Sequence, residues 1–199
     1  MGRRSVHSPE ELRLRILEAS QAIIERDGLV GLSAREIARL IGYSPGTLYN
    51  IFESLDHVLL TLQVQLVGSS IEAMKSAPRH PDPYKRLEAL SAAYVDFALD
   101  NKKMWAVLFT HSLPADVAAP AALHDQLNEG AAIICDALMP LMASASPTEV
   151  DVAARTFWAG LNGITAVAVT EKGLKVTPAT AQTYVKQLTS IYARGLAKT

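Results

Sequence analysis

Leu32-Ser33-Ala34-Arg35-Glu36-Ile37-Ala38-Arg39-Leu40-Ile41-Gly42-Tyr43-Ser44-Pro45-Gly46-Thr47-Leu48-Tyr49-Asn50-Ile51-Phe52 is the stretch from which the rest of the chain is best read. Ile37, Ala38 and Ile41 recur at helical spacing and make one apolar face. Ala38 is small where a second helix has to cross closely, and Gly42 is free to take the left-handed conformation that ends a helix. Ser44 before Pro45 is a helix-start signal, so the turn is only a few residues long. Leu48, Ile51 and Phe52 then pack the second helix inward, which leaves Pro45, Gly46, Thr47, Tyr49 and Asn50 to face outward. Two short helices joined this way form a helix-turn-helix, whose outer face fits the major groove of DNA.

Working outward, the same kind of start signal recurs at Ser8-Pro9, Asp82-Pro83, Ser146-Pro147 and Thr177-Pro178. Ser8 with Glu11, Ser33 with Glu36 and Ser146 with Glu149 have the spacing of a reciprocal capping box. Leu12, Ile16, Ala19 and Ile23, and later Val58, Leu59, Leu62, Leu66 and Ile71, continue the helical period. No hairpin signal interrupts them. The expected fold is all-α with about nine helices, near residues 9–27, 34–41, 45–51, 55–76, 83–100, 102–111, 120–143, 147–171 and 178–197.

The chain has 199 residues, 49% hydrophobic and 20% charged, which suits a folded protein with a sizeable core. Its net charge is −1, and residues 1–57 hold seven Arg and no Lys against eight Asp or Glu, so the case for a DNA reader rests on geometry rather than on charge. Apolar runs are broken by charge well before the ~20 residues a membrane span needs, and the N-terminus lacks the apolar stretch of a secretory signal. A soluble, cytoplasmic protein with no membrane partner is expected. Cys135, the only cysteine, lies among Ile133, Ile134, Ala137 and Leu138 and is expected to be a buried structural thiol. Five scattered histidines, no His-Glu-x-x-His, no cysteine pair and no glycine-rich phosphate loop argue against an enzyme, and point to no catalytic residue, metal or cofactor.

Ile37-Ala38, Gly42, Ser44, Gly46-Thr47 and Leu48-Tyr49-Asn50-Ile51-Phe52, in that order, resemble the signature of the tetracycline-repressor (TetR) family over residues ~9–60. The resemblance implies a ligand-released repressor that binds a palindromic operator in double-stranded DNA as a homodimer. It divides the chain into a DNA-binding domain, 1–55, and a ligand-binding and dimerisation domain, 56–199. Arg35, Pro45, Gly46 and Thr47 would approach base edges, Tyr49 and Asn50 would contact phosphates, and the helix starts at Ser33 and Ser44 would favour phosphate oxygens. Arg3 and Arg4 would reach the backbone or minor groove. Ser33 and Ser44 could equally act only as caps, Tyr49 as packing, and the two N-terminal arginines as a solvated end. This sequence departs from relatives that carry lysines near the start of the fourth helix, having Glu53-Ser54-Leu55-Asp56-His57 there, which lowers the expected phosphate affinity and leaves open a helical interaction module that has lost DNA binding.

In the second half, the resemblance implies an effector cavity lined by Leu66, Tyr94, Phe97, Trp105, Phe109, His111, Trp158 and Asn162, for an unknown hydrophobic or aromatic small molecule. An ordinary aromatic core fits the same spacing. Trp158 with Asn162-Gly163 is similar to a C-terminal subclass bearing Trp and then His-Gly, with asparagine here in place of the titratable histidine. Phe157, Gly160, Leu161, Ile164, Leu188, Ile191 and Tyr192 are expected at a twofold dimer interface of two helices from each subunit, or else in the interior.

Overall fold

The computed structural model describes residues 7–112, 118–170 and 175–196, so Arg3 and Arg4 lie outside the described residues. The described elements are all helical. They are α1 (Pro9–Asp27), α2 (Ala34–Ile41), α3 (Pro45–Ile51), α4 (Leu55–Ser76), α5 (Pro83–Asp100), α6 (Lys102–Thr110), α7 (Ala121–Leu138), α8 (Pro147–Thr170) and α9 (Ala181–Leu196), with 3-10 turns at Leu29–Gly31 and Met139–Leu141. The all-α expectation is met, and most ends fall where the caps put them. Ser8 and Glu11 form the full capping box, and so do Ser146 and Glu149.

Several local expectations need correction. The box at Ser33 is half-made: Ser33 Oγ accepts from the Glu36 N–H, but the Glu36 carboxylate turns instead to Arg26 and Arg39. Ser44 does not cap with its side chain; its hydroxyl lies 3.3 Å from that of Thr47. The helix expected at 120–143 stops at Leu138, because Pro140 lacks the N–H to continue it and a 3-10 turn follows. The helix expected from Pro178 begins at Ala181, since Thr180 Oγ1 bonds to the Lys175 carbonyl and accepts from the Thr177 N–H, forming a turn there. Cys135 is half-buried rather than buried, and burial is the main reason its thiol is held above the usual range.

α4 runs through the fold, packing on α1 near its start and on α5, α6 and α7 beyond it, while α8 packs on α5, α6, α7 and α9. Ile16, Ile23, Ile37, Leu48 and Val58 are fully buried and tie α1–α3 to α4 in a core continuous with the rest. Each such side chain contributes roughly 1.5–3 kcal/mol by leaving water. Among the described residues, α8 is long and apolar enough to cross a membrane by length and composition alone, with a mean hydropathy of 1.2 over its most apolar 18 residues. Its Phe157, Trp158 and Leu161 are buried within the fold, as in the core helix of a folded domain.

Candidate functional site

The turn between α2 and α3 is built as the sequence requires. Gly42 has φ 77° and ψ 30°, the left-handed region open to glycine at little cost, and its N–H and that of Tyr43 both reach the Ala38 carbonyl. Leu48 and Phe52 turn inward, and Arg13 lies 4.4 Å over the Phe52 ring. Pro45, Gly46, Tyr49 and Asn50 are exposed and Thr47 is half-buried, so the predicted reading face of α3 is free of the core. At 53% exposure, Tyr49 is not a packing filler. Tyr43, which the sequence reading passed over, has its hydroxyl 2.6 Å from His7 Nδ1, and Arg15 lies 2.7 Å from His7 Nε2. That contact seats the start of the described chain against the helix turn.

The arginines near this face differ in what occupies them. Arg39 and Arg26 clamp the Glu36 carboxylate, which their hydrogen bonds, Arg39's foremost, hold down to about 2. Arg13 is engaged by Phe52 and Thr61, and Arg15 by His7 and the Ile41 carbonyl. Arg35 is exposed and, among the described residues, makes no hydrogen bond or ion pair, so its forked donors face solvent beside α3. Ser54, another residue missed from sequence, caps α4 through the His57 N–H, and its position two residues after Phe52 was the available signal.

The aromatic residues of the second half do come together. Tyr94 and Trp105 meet edge to face at 5.3 Å, Phe97 and Trp105 at 6.0 Å, Tyr94 and Trp158 at 6.2 Å, and Trp105 and Phe109 at 6.5 Å. Trp105 is 1% exposed and its indole N–H donates to Thr165 Oγ1, while the Tyr94 hydroxyl donates to Asn162 Oδ1. Burial pushes the Tyr94 phenol far above its ordinary range, so it stays a donor. Tyr94 and Trp105 are therefore packed core, Phe97 and Asn162 are half-buried at its side, and Phe109, 41% exposed, lies at its edge. Leu66 is buried in the same core. His111 stands apart: its Nε2 is 2.8 Å from Asp56 in the first turn of α4 and its Nδ1 is 3.4 Å from the Gln63 amide. Among the described residues, two buried side-chain polar atoms lack a hydrogen-bond partner, Trp158 Nε1 and Gln126 Oε1. The Trp158 ring of α8 covers Gly130 of α7 with the edge of its six-membered ring, and Gln126, one turn earlier on α7, faces Gly68 of α4.

The expected interface residues split into two groups. Phe157 and Leu161 are buried within the chain, Phe157 against Tyr192 at 5.1 Å, and Gly160 lets Leu188 of α9 approach; these serve α8–α9 packing and do not face outward. Tyr192 is half-buried and donates its hydroxyl to the Ala153 carbonyl. Ile164 and Leu188 are half-buried, and Ile191 is 61% exposed. The outward stripe of α8 is Val152, Thr156, Ala159 and Gly163, spaced at four, three and four residues, beside Tyr184 and Ile191 of α9. Of the two places the sequence left open for Phe157 and Leu161, an interface or the interior, the single chain puts them in the interior. Among the described residues, no group of three or more His, Cys, Asp or Glu could hold a metal.

Solved structures share this architecture along nearly the whole chain. A protein of unknown function from Rhodococcus sp. RHA1 is 24% identical with a TM-score of 0.70, covering 98% of this chain and 100% of that one. A regulatory protein of the tetR family from Rhodococcus RHA1 is 18% identical with a TM-score of 0.65, covering 92% and 96%. The transcriptional regulator FadR from Bacillus subtilis, in complex with stearoyl-CoA, is 16% identical with a TM-score of 0.67, covering 89% and 97%. At these identities the likeness shows the fold. No curated protein matches the chain. Residues 87–191 match the family described as tetracyclin repressor-like, C-terminal domain. That match takes in more than half of the sequence, and the chain belongs to the tetracyclin repressor-like family.

Proposed function

We propose that the chain is a DNA-binding transcriptional regulator, a homodimeric repressor that leaves a palindromic operator when a small hydrophobic or aromatic effector binds. The observation that carries this reading is the outward face of α3 with Arg35 beside it, uncommitted to any partner. Residues 1–55 act as the reader and 56–199 as the sensing and dimerising part of a cytoplasmic protein, in which Asn162 stands at the histidine position of the Trp-His-Gly subclass. Two copies present their α3 helices to half-sites about 34–36 Å apart. Pro45, Gly46, Thr47 and Arg35 approach base edges, while Tyr49, Asn50 and the helix starts at Ser33 and Ser44 hold phosphates.

The unpartnered Trp158 N–H and Gln126 carbonyl support an effector with a polar group on an otherwise apolar body, since buried polar atoms favour a partner. The stearoyl-CoA bound by the Bacillus subtilis relative, with its long apolar chain, agrees with that class. α6 offers the path to DNA: Trp105 roots it in the aromatic cluster, and His111 after its last turn grips Asp56 at the start of α4. An effector that prefers a shifted α6 weakens operator binding by the same factor with which operator weakens effector binding, ~5–150-fold for typical couplings.

Gel shift of the purified protein on DNA flanking its own gene tests the reading. A palindrome-centred complex that weakens steeply between ~50 and ~200 mM salt is expected. No complex at low salt would favour a helical interaction module instead, the reading that Glu53 and Asp56 beside the reader recommend. A Val152→Arg, Ile191→Arg chain should keep its helical content but sediment at half the wild-type mass and lose the shift, because both side chains are exposed in the single chain. A wild-type monomer, or a double variant that still dimerises, would remove this face from the interface.

A further inference from the structure

At the end of α4 farthest from the reader, Lys75, Arg79, His80 and Arg86 meet around an open cavity of about 350 Å3, with Asp136 and the apolar Ile133 and Ala137 of α7 completing the wall. The four basic residues are held in different ways. Lys75 bridges Glu72 and Glu129, which neutralise it. Arg86 donates through one nitrogen to the carbonyls of Ala77 and Pro78, both at 3.0 Å, and this fixes its guanidinium without cancelling its charge. His80 Nδ1 accepts from the Asp82 N–H, so in the neutral ring Nε2 carries the proton and is a donor. Arg79 is exposed and has no carboxylate partner among the described residues, and its charge adds to burial in disfavouring protonated Arg86.

Helix electrostatics explain only part of this. Cations near the last turn of α4 offset its negative end, which accounts for Lys75 and Arg86. They do not account for Arg79, brought to the same cavity as Arg86, where like charges repel. Asp136 supplies one negative charge against the two guanidinium groups that lack a carboxylate of their own. A bound oxyanion removes the remaining imbalance and uses the free edges of both forks and the imidazole N–H. The volume lies in the range of small-molecule sites, and Ile133 and Ala137 give an attached carbon skeleton an apolar wall.

We propose that this cavity is a second ligand site, separate from the aromatic cluster, that takes a phosphate-type oxyanion. It stands independently of the repressor reading. The probes are inorganic phosphate and phenyl phosphate, titrated calorimetrically into the full chain at constant low ionic strength, with chloride as the control. Wild-type protein should give saturable one-site binding that chloride does not reproduce. Arg79→Ala should weaken it at least tenfold with unchanged helical content, whereas Arg155→Ala, a surface arginine paired with Asp151 on α8, should not. Phenyl phosphate binding more tightly than phosphate identifies an organic ester that uses the apolar wall; equal binding identifies the free ion. Equal heats from chloride and phosphate, or an Arg79→Ala chain that binds as well as wild type, would overturn the site.

Discussion

An Arg35→Ala chain should bind its operator ~5–150-fold more weakly while unfolding at the wild-type denaturant midpoint. The range corresponds to about 1–3 kcal/mol, the discrimination carried by one good bidentate contact between a side chain and a base. Stability should be untouched because Arg35 is exposed and makes no described hydrogen bond or ion pair. Arg39→Ala provides the contrast: it strips Glu36 of its foremost partner, and any loss of DNA affinity should come with a change in acid stability. The sign follows from the direction of the shift. Glu36 is held down to about 2, so its stabilisation is present above the ordinary carboxylate range and is lost as pH falls toward 2; Arg39→Ala narrows that window from below. Arg35→Lys separates charge from geometry, since a lysine keeps the attraction to phosphate but cannot pair with guanine through a fork. Operator affinity measured by fluorescence anisotropy would decide the matter. Wild-type affinity in Arg35→Ala would remove this residue from the reading face.

Trp105→Ala should cost about 3–5 kcal/mol in urea unfolding, a large share of the ~5–15 kcal/mol typical of folded domains. The ring is 1% exposed, contacts Tyr94, Phe97 and Phe109 by their edges, and its N–H is the donor that Thr165 Oγ1 receives. Trp105→Phe keeps most of the volume and gives up the hydrogen bond, so a smaller loss is expected. Phe109→Ala, at a ring 41% exposed, should cost less than Trp105→Ala. A Trp105→Ala loss under about 1 kcal/mol would mean that the cluster already holds space and that Trp105 lines a cavity rather than filling a core.

The fold was legible because its punctuation is local. A Ser or Asp before Pro, or a Glu three residues after Ser, acts within one turn, and Ser8, Asp82 and Ser146 start helices where they stand. Local punctuation also misled where two signals compete. Thr177-Pro178 has the form of a start, but Thr180 diverts the backbone into a turn, and Pro140 ends a helix whose apolar period continues past it. Glu36 has the spacing of a box, yet two arginines outbid the Ser33 N–H for its carboxylate. Which side of α3 faces outward was legible because Leu48 and Phe52 declare the inner side. The phase of α8 was not, since Phe157 and Leu161 suit an interior and an interface equally, and only exposure shows that Val152, Thr156, Ala159 and Gly163 lie outside. The link from His111 to Asp56 spans 55 residues and no local pattern announces it.

α4 is one unbroken helix of 22 residues, and neither of the two 3-10 turns nor any proline interrupts it. At ~1.5 Å per residue it is a rod of about 33 Å. A rod converts angle into distance. A tilt of about 5° about its far end carries the reader's end by ~3 Å, close to the 3.4 Å separating neighbouring bases on a strand. In the proposed dimer, two subunits moving in opposite senses would double that displacement, enough to take one α3 helix out of register with its half-site while the other stayed seated. The amplification is set by helix length alone, so on the proposed function even a small repacking beside Trp105 or His111 would have a large mechanical advantage over DNA.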